Sequence, residues 1–271
     1  MRENDKKGTC MEKKSFREKA AYVVCYTAKF LVWVFYKKPK VLGTENLPEE
    51  PCIIVGNHTK MNGPICAVLY YPRPQAIWCA GEMMDMKEVP DYAYRDFWSE
   101  KPEWIRPFFR LVSHLIAWPA EAIFTVAPTI PVYHDGRVMN TYRGSIDALE
   151  AGKDVIIFPE GPEENNHILN QFQEGFVDTA RMYYRRTGKT LSFVPLYNAP
   201  TIHKMVFGEP IAFDPTAPIK AERKRICAVL TERITALAEA LPEHKVVPYN
   251  NVKKKYYQSS RASAPAEVKK N

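Results

Sequence analysis

Two short apolar runs constrain this chain more than any other feature. Cys52-Ile53-Ile54-Val55 runs into Gly56-Asn57-His58, and Val155-Ile156-Ile157-Phe158 runs into Pro159-Glu160-Gly161. Short apolar runs that stop at turn-forming residues read as strands covered on both faces, as in a parallel sheet. Each run delivers a titratable side chain at its C-terminal end, which is where an open α/β sheet places its binding crevice. A histidine there can act as a general base, and a glutamate can orient that base or a substrate hydroxyl. A histidine after a strand is more often a packed core residue, and it is the pairing with the second run that marks His58 and Glu160.

The rest of the chain alternates between the same two periods. Strands are expected at 51–56, 75–79, 129–133, 155–158, 193–197 and 205–207, with a short strand and turn at 41–48. Helices are expected at 61–70, at 138–150 before Gly152, and at 174–186 before Gly188. Residues 218–241 read as an amphipathic helix, with Ile226, Val229, Leu230, Ile234, Leu237 and Leu241 recurring at three and four. Residues 81–90 read as a polar loop. Residues 104–124 are apolar with Arg106, Arg110 and His114 inserted, and Pro107 and Pro119 break them; a membrane-facing or chain-lining element competes there with a core helix pair. The alternation predicts one α/β domain over 39–250, with a mixed, largely parallel sheet flanked by helices.

Charge is concentrated at the two ends. Residues 1–19 hold seven Lys/Arg against four Asp/Glu, and residues 253–271 hold six against one. The 25 basic and 26 acidic residues between them leave a near-neutral body, which excludes the basic face of a nucleic-acid reader. Such ends suit an anionic membrane surface, or serve as solubilising tails. Between them, Ala20 to Tyr36 is an apolar stretch of seventeen residues interrupted by Lys29. As a helix it covers ~25 Å, short of the ~30 Å hydrocarbon core. Tyr22, Tyr26, Trp33 and Tyr36 favour an interface, so the segment is expected to lie in or dip into one leaflet. A buried N-terminal helix is the plainer alternative. This divides the chain into a basic N-terminus with an interfacial helix (1–38), the α/β domain (39–250) and a disordered basic tail (251–271). The location expected is the cytoplasmic side of a membrane, peripheral or monotopic. Six scattered cysteines form no CxxC pair, and no Cys/His spacing suggests a metal site. They read as reduced thiols, with Cys52 and Cys66 as small buried apolar residues.

The order Asn57-His58 after a strand, a strand with Gly136-Arg137, then Phe158-Pro159-Glu160-Gly161 and Val194-Pro195 resembles the glycerolipid acyltransferase family, of the lysophosphatidic acid acyltransferase type. The likeness covers roughly 41–212, including the Gly43, Glu45-Asn46-Leu47-Pro48 lead-in. It departs at two motifs. The family's His-x4-Asp pair becomes His58 with Gly63 in the acid's place. Asn62 offers a carbonyl nearby, and Glu160, Glu163 and Asp85 are the acids that a fold can bring instead. The family's Phe-Pro-Glu-Gly-Thr-Arg becomes Phe158-Pro159-Glu160-Gly161-Pro162-Glu163, which exchanges a phosphate-binding cation for an acid.

What the resemblance implies is an O-acyltransferase. It would move a fatty acyl group from acyl-CoA or acyl carrier protein to a hydroxyl of a lysophospholipid acceptor such as 1-acylglycerol-3-phosphate. His58 would be the base, Glu160 its partner or the acceptor's, and Asn62, Gly63, Arg137 and Gly161 would line the substrate, with Arg137 the headgroup contact. His134 stands where the family's usual arginine is expected, and His167 lies in the loop after Glu163. No metal or cofactor is implied. The altered motifs leave two other readings open, a non-catalytic lipid-binding descendant and a lipid hydrolase.

Overall fold

The two apolar runs lie side by side as parallel strands, with Ile53 opposite Val155, Ile54 opposite Ile156 and Val55 opposite Ile157. The structure, a computed structural model, describes residues 15–99, 101–250 and 252–262. The chain begins with α1 (Phe16–Phe35), β1 (Lys40–Leu42), β2 (Ile53–Gly56), α2 (Asn62–Tyr70), β3 (Gln75–Ala80), α3 (Val89–Ala93), α4 (Arg106–Leu115), α5 (Ala117–Val126) and β4 (Thr129–Val132). It continues with α6 (Val138–Glu150), β5 (Asp154–Ile157), the hairpin β6 (Glu160–Glu164) and β7 (Asn170–Phe172), α7 (Asp178–Thr187), β8 (Ser192–Ala199), β9 (Lys204–Phe207), β10 (Ile211–Ala212) and α8 (Ile219–Ala240). Among the described residues eight strands share one sheet in the order β1-β9-β8-β2-β5-β3-β4, with β10 pairing β8 beside that path. β2, β3, β4, β5 and β8 are mutually parallel, and β9 and β10 run antiparallel to β8. This is the mixed, largely parallel sheet flanked by helices that the alternation predicts.

The pleat sends alternate residues of each central strand to opposite faces. Ile53, Val55, Val155, Ile157 and Phe193 pack with Leu149 of α6, Ala180 of α7 and the Ile226–Leu230–Ile234–Ala238 stripe of α8. Cys52, Ile54, Ile156, Val194 and Leu196 pack on the other face with Cys66 and Ala67 of α2. Both faces are therefore covered, and each such side chain contributes about 1.5–3 kcal/mol by leaving water. At the strand-start edge the buried Asp154 carboxylate accepts hydrogen bonds from the Cys52 amide at 2.9 Å, the Tyr71 hydroxyl at 2.6 Å and the Arg73 guanidinium at 3.0 Å. That network ties β2, β5 and the segment before β3 together at the end of the sheet opposite His58.

Several expectations are corrected. Pro107 and Pro119 do not break helices; each lies in the first turn of one, where a missing amide costs nothing. The break falls at Ile116, which ends α4 and starts α5. Residues 81–90 are a 3-10 turn (Gly81–Met84) leading into α3 rather than an open loop. The 160–172 hairpin has no apolar alternation and is not foreseen by it. The tail expected to be disordered from 251 is ordered over 252–262. Ser260 is fully buried, its amide donates to the His244 carbonyl at 2.8 Å, and Lys245 bridges Ser259. The basic stretch of residues 1–14 and the last part of the tail, 263–271, lie outside the described residues. α1 is present, capped by a reciprocal Ser15–Glu18 box. Among the described residues no helix is long and apolar enough to cross a membrane.

Candidate active site

His58 follows β2, and four contacts fix its backbone and ring. Asn57, just before it, mimics a further ladder step: its side chain accepts from the Asn198 amide at 2.7 Å and donates to the Asn198 carbonyl at 3.0 Å. The His58 carbonyl accepts from the Gly63 amide at 3.1 Å, where α2 begins. Its own amide donates to the Glu160 carboxylate at 2.6 Å. The ring stands between two aromatic edges, Phe158 and Tyr249, each with its centroid 5.6 Å away. Thr59 and Lys60 then take left-handed backbone angles, φ +45° and +57°. Non-glycine residues rarely adopt that conformation, and it clusters at functional sites.

Glu160 follows β5, the neighbour of β2, so strand order alone brings it beside His58. One carboxylate oxygen takes the His58 amide and the other the Asn170 amide at 2.9 Å. Glu160 therefore holds the backbone of His58 and not its ring. Burial pushes its carboxyl up to about 7, against the opposing pull of the Asn170 and His58 amides. Burial likewise lowers the His58 imidazole below its ordinary value, opposed by backbone hydrogen bonding at Lys60 and at His58 itself. The ring is thus neutral at pH 7 and able to accept a proton. Its Nδ1 is buried and has no hydrogen-bond partner among the described residues.

Both residues line a cavity of about 730 Å³, within the ~300–1,000 Å³ range of small-molecule sites. Its walls are mainly apolar and aromatic, reaching past Trp78 of β3, Phe124 of α5 and Phe176. Such a volume and lining suit a long apolar chain. Among the described residues no group of three His, Cys, Asp or Glu side chains is arranged to hold a metal ion.

The other expected site residues fall elsewhere. Gly63 sits so close to the loop after β2 that a Cβ would lie 2.8 Å from the carbonyl oxygens of Asn57 and His58 and 2.9 Å from the Phe158 ring. An aspartate is excluded there by contact, and the Phe158 edge occupies its space. Asn62 turns away, donating to the Thr59 carbonyl at 2.9 Å and accepting from the Tyr36 hydroxyl at 3.1 Å. Gly161 belongs to the hairpin, its carbonyl taken by Asn170. Arg137 lies outside the cavity lining, stacked over Tyr133 and paired with Asp135 at 2.8 Å and Glu88 at 3.2 Å; its neighbour His134 lines the cavity instead. Asp85 and Glu163 are exposed and do not line it. His167 reaches the Ser260 carbonyl at 3.2 Å and anchors the C-terminal segment.

Three lining residues have no signal in the local sequence: Tyr249 against the His58 ring, Lys60, and Asp96 from the π-helical turn Tyr94–Trp98. Tyr249 sits in Val247-Pro248-Tyr249-Asn250, which reads only as a turn. No family model matches the chain, and no curated protein shows a match to it. A solved structure to which it is similar is that of the 1-acyl-sn-glycerophosphate (LPA) acyltransferase PlsC from Thermotoga maritima. Identity is 18% and the TM-score 0.46, over 85% of this chain and 86% of that one.

Proposed function

We propose that this chain transfers an acyl group from a thioester donor, acyl-CoA or acyl carrier protein, to a glycerolipid hydroxyl. The observation that carries this reading is a neutral, aromatic-flanked imidazole on the wall of a large apolar cavity at the C-terminal ends of parallel strands. His58 takes the hydroxyl proton as the alcohol oxygen attacks the thioester carbonyl. The carbon–sulfur bond then breaks, and the imidazolium returns the proton to the leaving thiolate. Glu160 and Asn57 are positioning residues, which set where the ring stands through the backbone on either side of it.

A membrane surface supplies both lipids in this reading. α1 leaves Tyr26, Phe30, Trp33 and Phe35 exposed, and Trp104, Phe108, Leu111 and Leu115 form a second exposed stripe along α4 and the turn before it. Exposed apolar area of that extent marks an interaction surface, and aromatic residues suit the membrane interface.

One observation favours a second reading, a lipid-binding module without turnover. The Nδ1 of His58 lacks an orienting acid, and Gly63 leaves no room for one. In serine proteases, exchanging the orienting acid for an amide costs ~10⁴ in turnover. Incubation of the purified protein with palmitoyl-CoA and monoacyl lipids, followed by mass spectrometry, separates the readings. A diacyl product supports transfer, free fatty acid supports hydrolysis, and retained lipid with neither product supports binding alone.

A further inference from the structure

Resting on the acyl-transfer reading, we propose that the alcohol accepted at this site carries no net negative charge, being an uncharged polyol monoester or a zwitterion and not a phosphate monoester. A phosphate monoester brings about −1.5 to −2 charges at pH 7 and binds where arginine or lysine side chains converge on it. Among the described residues the cavity wall holds one ammonium, Lys60, and two acids: Asp96, which pairs with Arg95 at 3.3 Å, and Glu160, whose two oxygens are taken by the His58 and Asn170 amides. That ammonium is already engaged: Nζ donates to the Val252 carbonyl at 3.2 Å and sits 5.5 Å from the Tyr257 ring. Two guanidiniums beside the wall are also taken, Arg95 by Asp96 and Arg137 by Asp135 and Glu88.

The C-terminal segment accounts for this arrangement. The pairs His244–Ser260 and Val246–Gln258 close its base like a hairpin. Its far end lays the Tyr249 ring against His58, and Asn250 donates to the Pro162 carbonyl at 3.3 Å. Asn250 thus ties the segment to the loop where the resembling family carries a cation and this chain carries Pro162-Glu163. Besides Lys60 and two imidazoles, the polar side of the cavity carries Asp96 and the phenols of Tyr92, Tyr133 and Tyr249. Phenols and a carboxylate hydrogen-bond a hydroxyl-bearing or ammonium-bearing head, and among the described residues no converging pair of cations on the wall offsets the charge of a phosphate.

The test uses the full-length protein in mixed micelles with palmitoyl-CoA and three acceptors: 1-oleoylglycerol, 1-oleoyl-lysophosphatidylcholine and 1-oleoyl-lysophosphatidate. The expected kcat/KM for the first or second exceeds that for the phosphate by about tenfold or more. Which of the two leads distinguishes an uncharged from a zwitterionic acceptor. Asp96→Lys is expected to shrink that ratio, and Asp96→Asn to shrink it less. Lysophosphatidate as the best acceptor overturns the proposal, as does a ratio that neither substitution moves. Should no acceptor be acylated, the acyl-transfer reading fails by itself, and displacement of a fluorescent monoacylglycerol from the protein decides the acceptor class. Stronger competition by the uncharged or zwitterionic lipid upholds the proposal, and stronger competition by lysophosphatidate overturns it.

Discussion

The Glu160 carboxylate hydrogen-bonds the backbone amide of His58 at 2.6 Å, while the buried Nδ1 of the His58 ring has no partner among the described residues. The acid beside His58 is thus a clamp on its backbone. The ring itself is steered by two aromatic edges, Phe158 and Tyr249. This division of labour separates what each substitution is expected to do.

The Glu160 clamp has a pH signature. Its folded carboxyl titrates near 7, above the ~4.3 of an unfolded glutamate. The native state therefore binds the proton more tightly, and this group's contribution to stability falls as pH rises from about 4.3 through 7. The span amounts to about 4 kcal/mol. Urea unfolding of the wild type and Glu160→Gln across pH 4.5–8 is expected to show the wild type losing stability relative to the variant as pH rises. A constant difference would contradict the buried-carboxylate assignment.

Restoring the missing acid is expected to do harm. A Cβ at position 63 meets two backbone carbonyls below 3 Å, and neither can swing aside as a side chain does. Gly63→Ala is expected to cost about 1–3 kcal/mol in unfolding free energy. Gly63→Asp is expected to lower the acyl-transfer rate rather than raise it. A faster Gly63→Asp enzyme would show that the loop yields and that the acid was simply lost.

The Asp154 network lies at the far edge of the sheet and is expected to affect stability without shaping the reaction. Asp154→Ala leaves the Tyr71 hydroxyl and the Cys52 amide without their acceptor and strips the Arg73 guanidinium of its counter-charge, with only the Pro48 and Glu50 carbonyls left to it. The expected loss is about 3–5 kcal/mol, read from the urea midpoint. A shift below about 1 kcal/mol would mean that water replaces the carboxylate there.

Much of this was legible because fully buried strands announce themselves. Ile53–Val55 and Val155–Ile157 are apolar at every position since both faces are covered, and each ends at a turn. Parallel neighbours that end together bring His58 and Glu160 side by side. The helix at 138–150 falls at its expected limits because its apolar positions recur at helical spacing and Gly152 stops it. The collision at Gly63 and the contact of Tyr249 with the base were not legible, since each depends on segments far apart in the chain. The two prolines misled because a proline inside an apolar run reads as a stop, yet in a first turn it starts a helix. The pairing of Arg137 with its neighbouring acid, Asp135, away from the cavity lining, is not disclosed by the Gly136-Arg137 motif.

The proposed membrane docking rests on the two exposed apolar stripes. Phe30→Glu with Trp33→Glu, and separately Phe108→Glu with Leu111→Glu, are expected to shift the protein from anionic vesicles to the supernatant in a flotation assay. Each exposed aromatic or aliphatic side chain withdrawn from lipid forfeits about 1.5–3 kcal/mol, so a pair is expected to lower the partition coefficient by at least ~100-fold. Unchanged flotation in both variants would remove the membrane from this picture.

The most direct measurement compares His58→Ala with the wild type in acyl transfer from palmitoyl-CoA, product by product, alongside their unfolding midpoints. A general base is worth about 10²–10⁴ in rate, so the variant is expected to lose at least ~100-fold while its midpoint stays close to that of the wild type. A correctly folded His58→Ala protein that transfers acyl groups within about twofold of the wild-type rate would show that this imidazole takes no proton, and that the chemistry lies elsewhere.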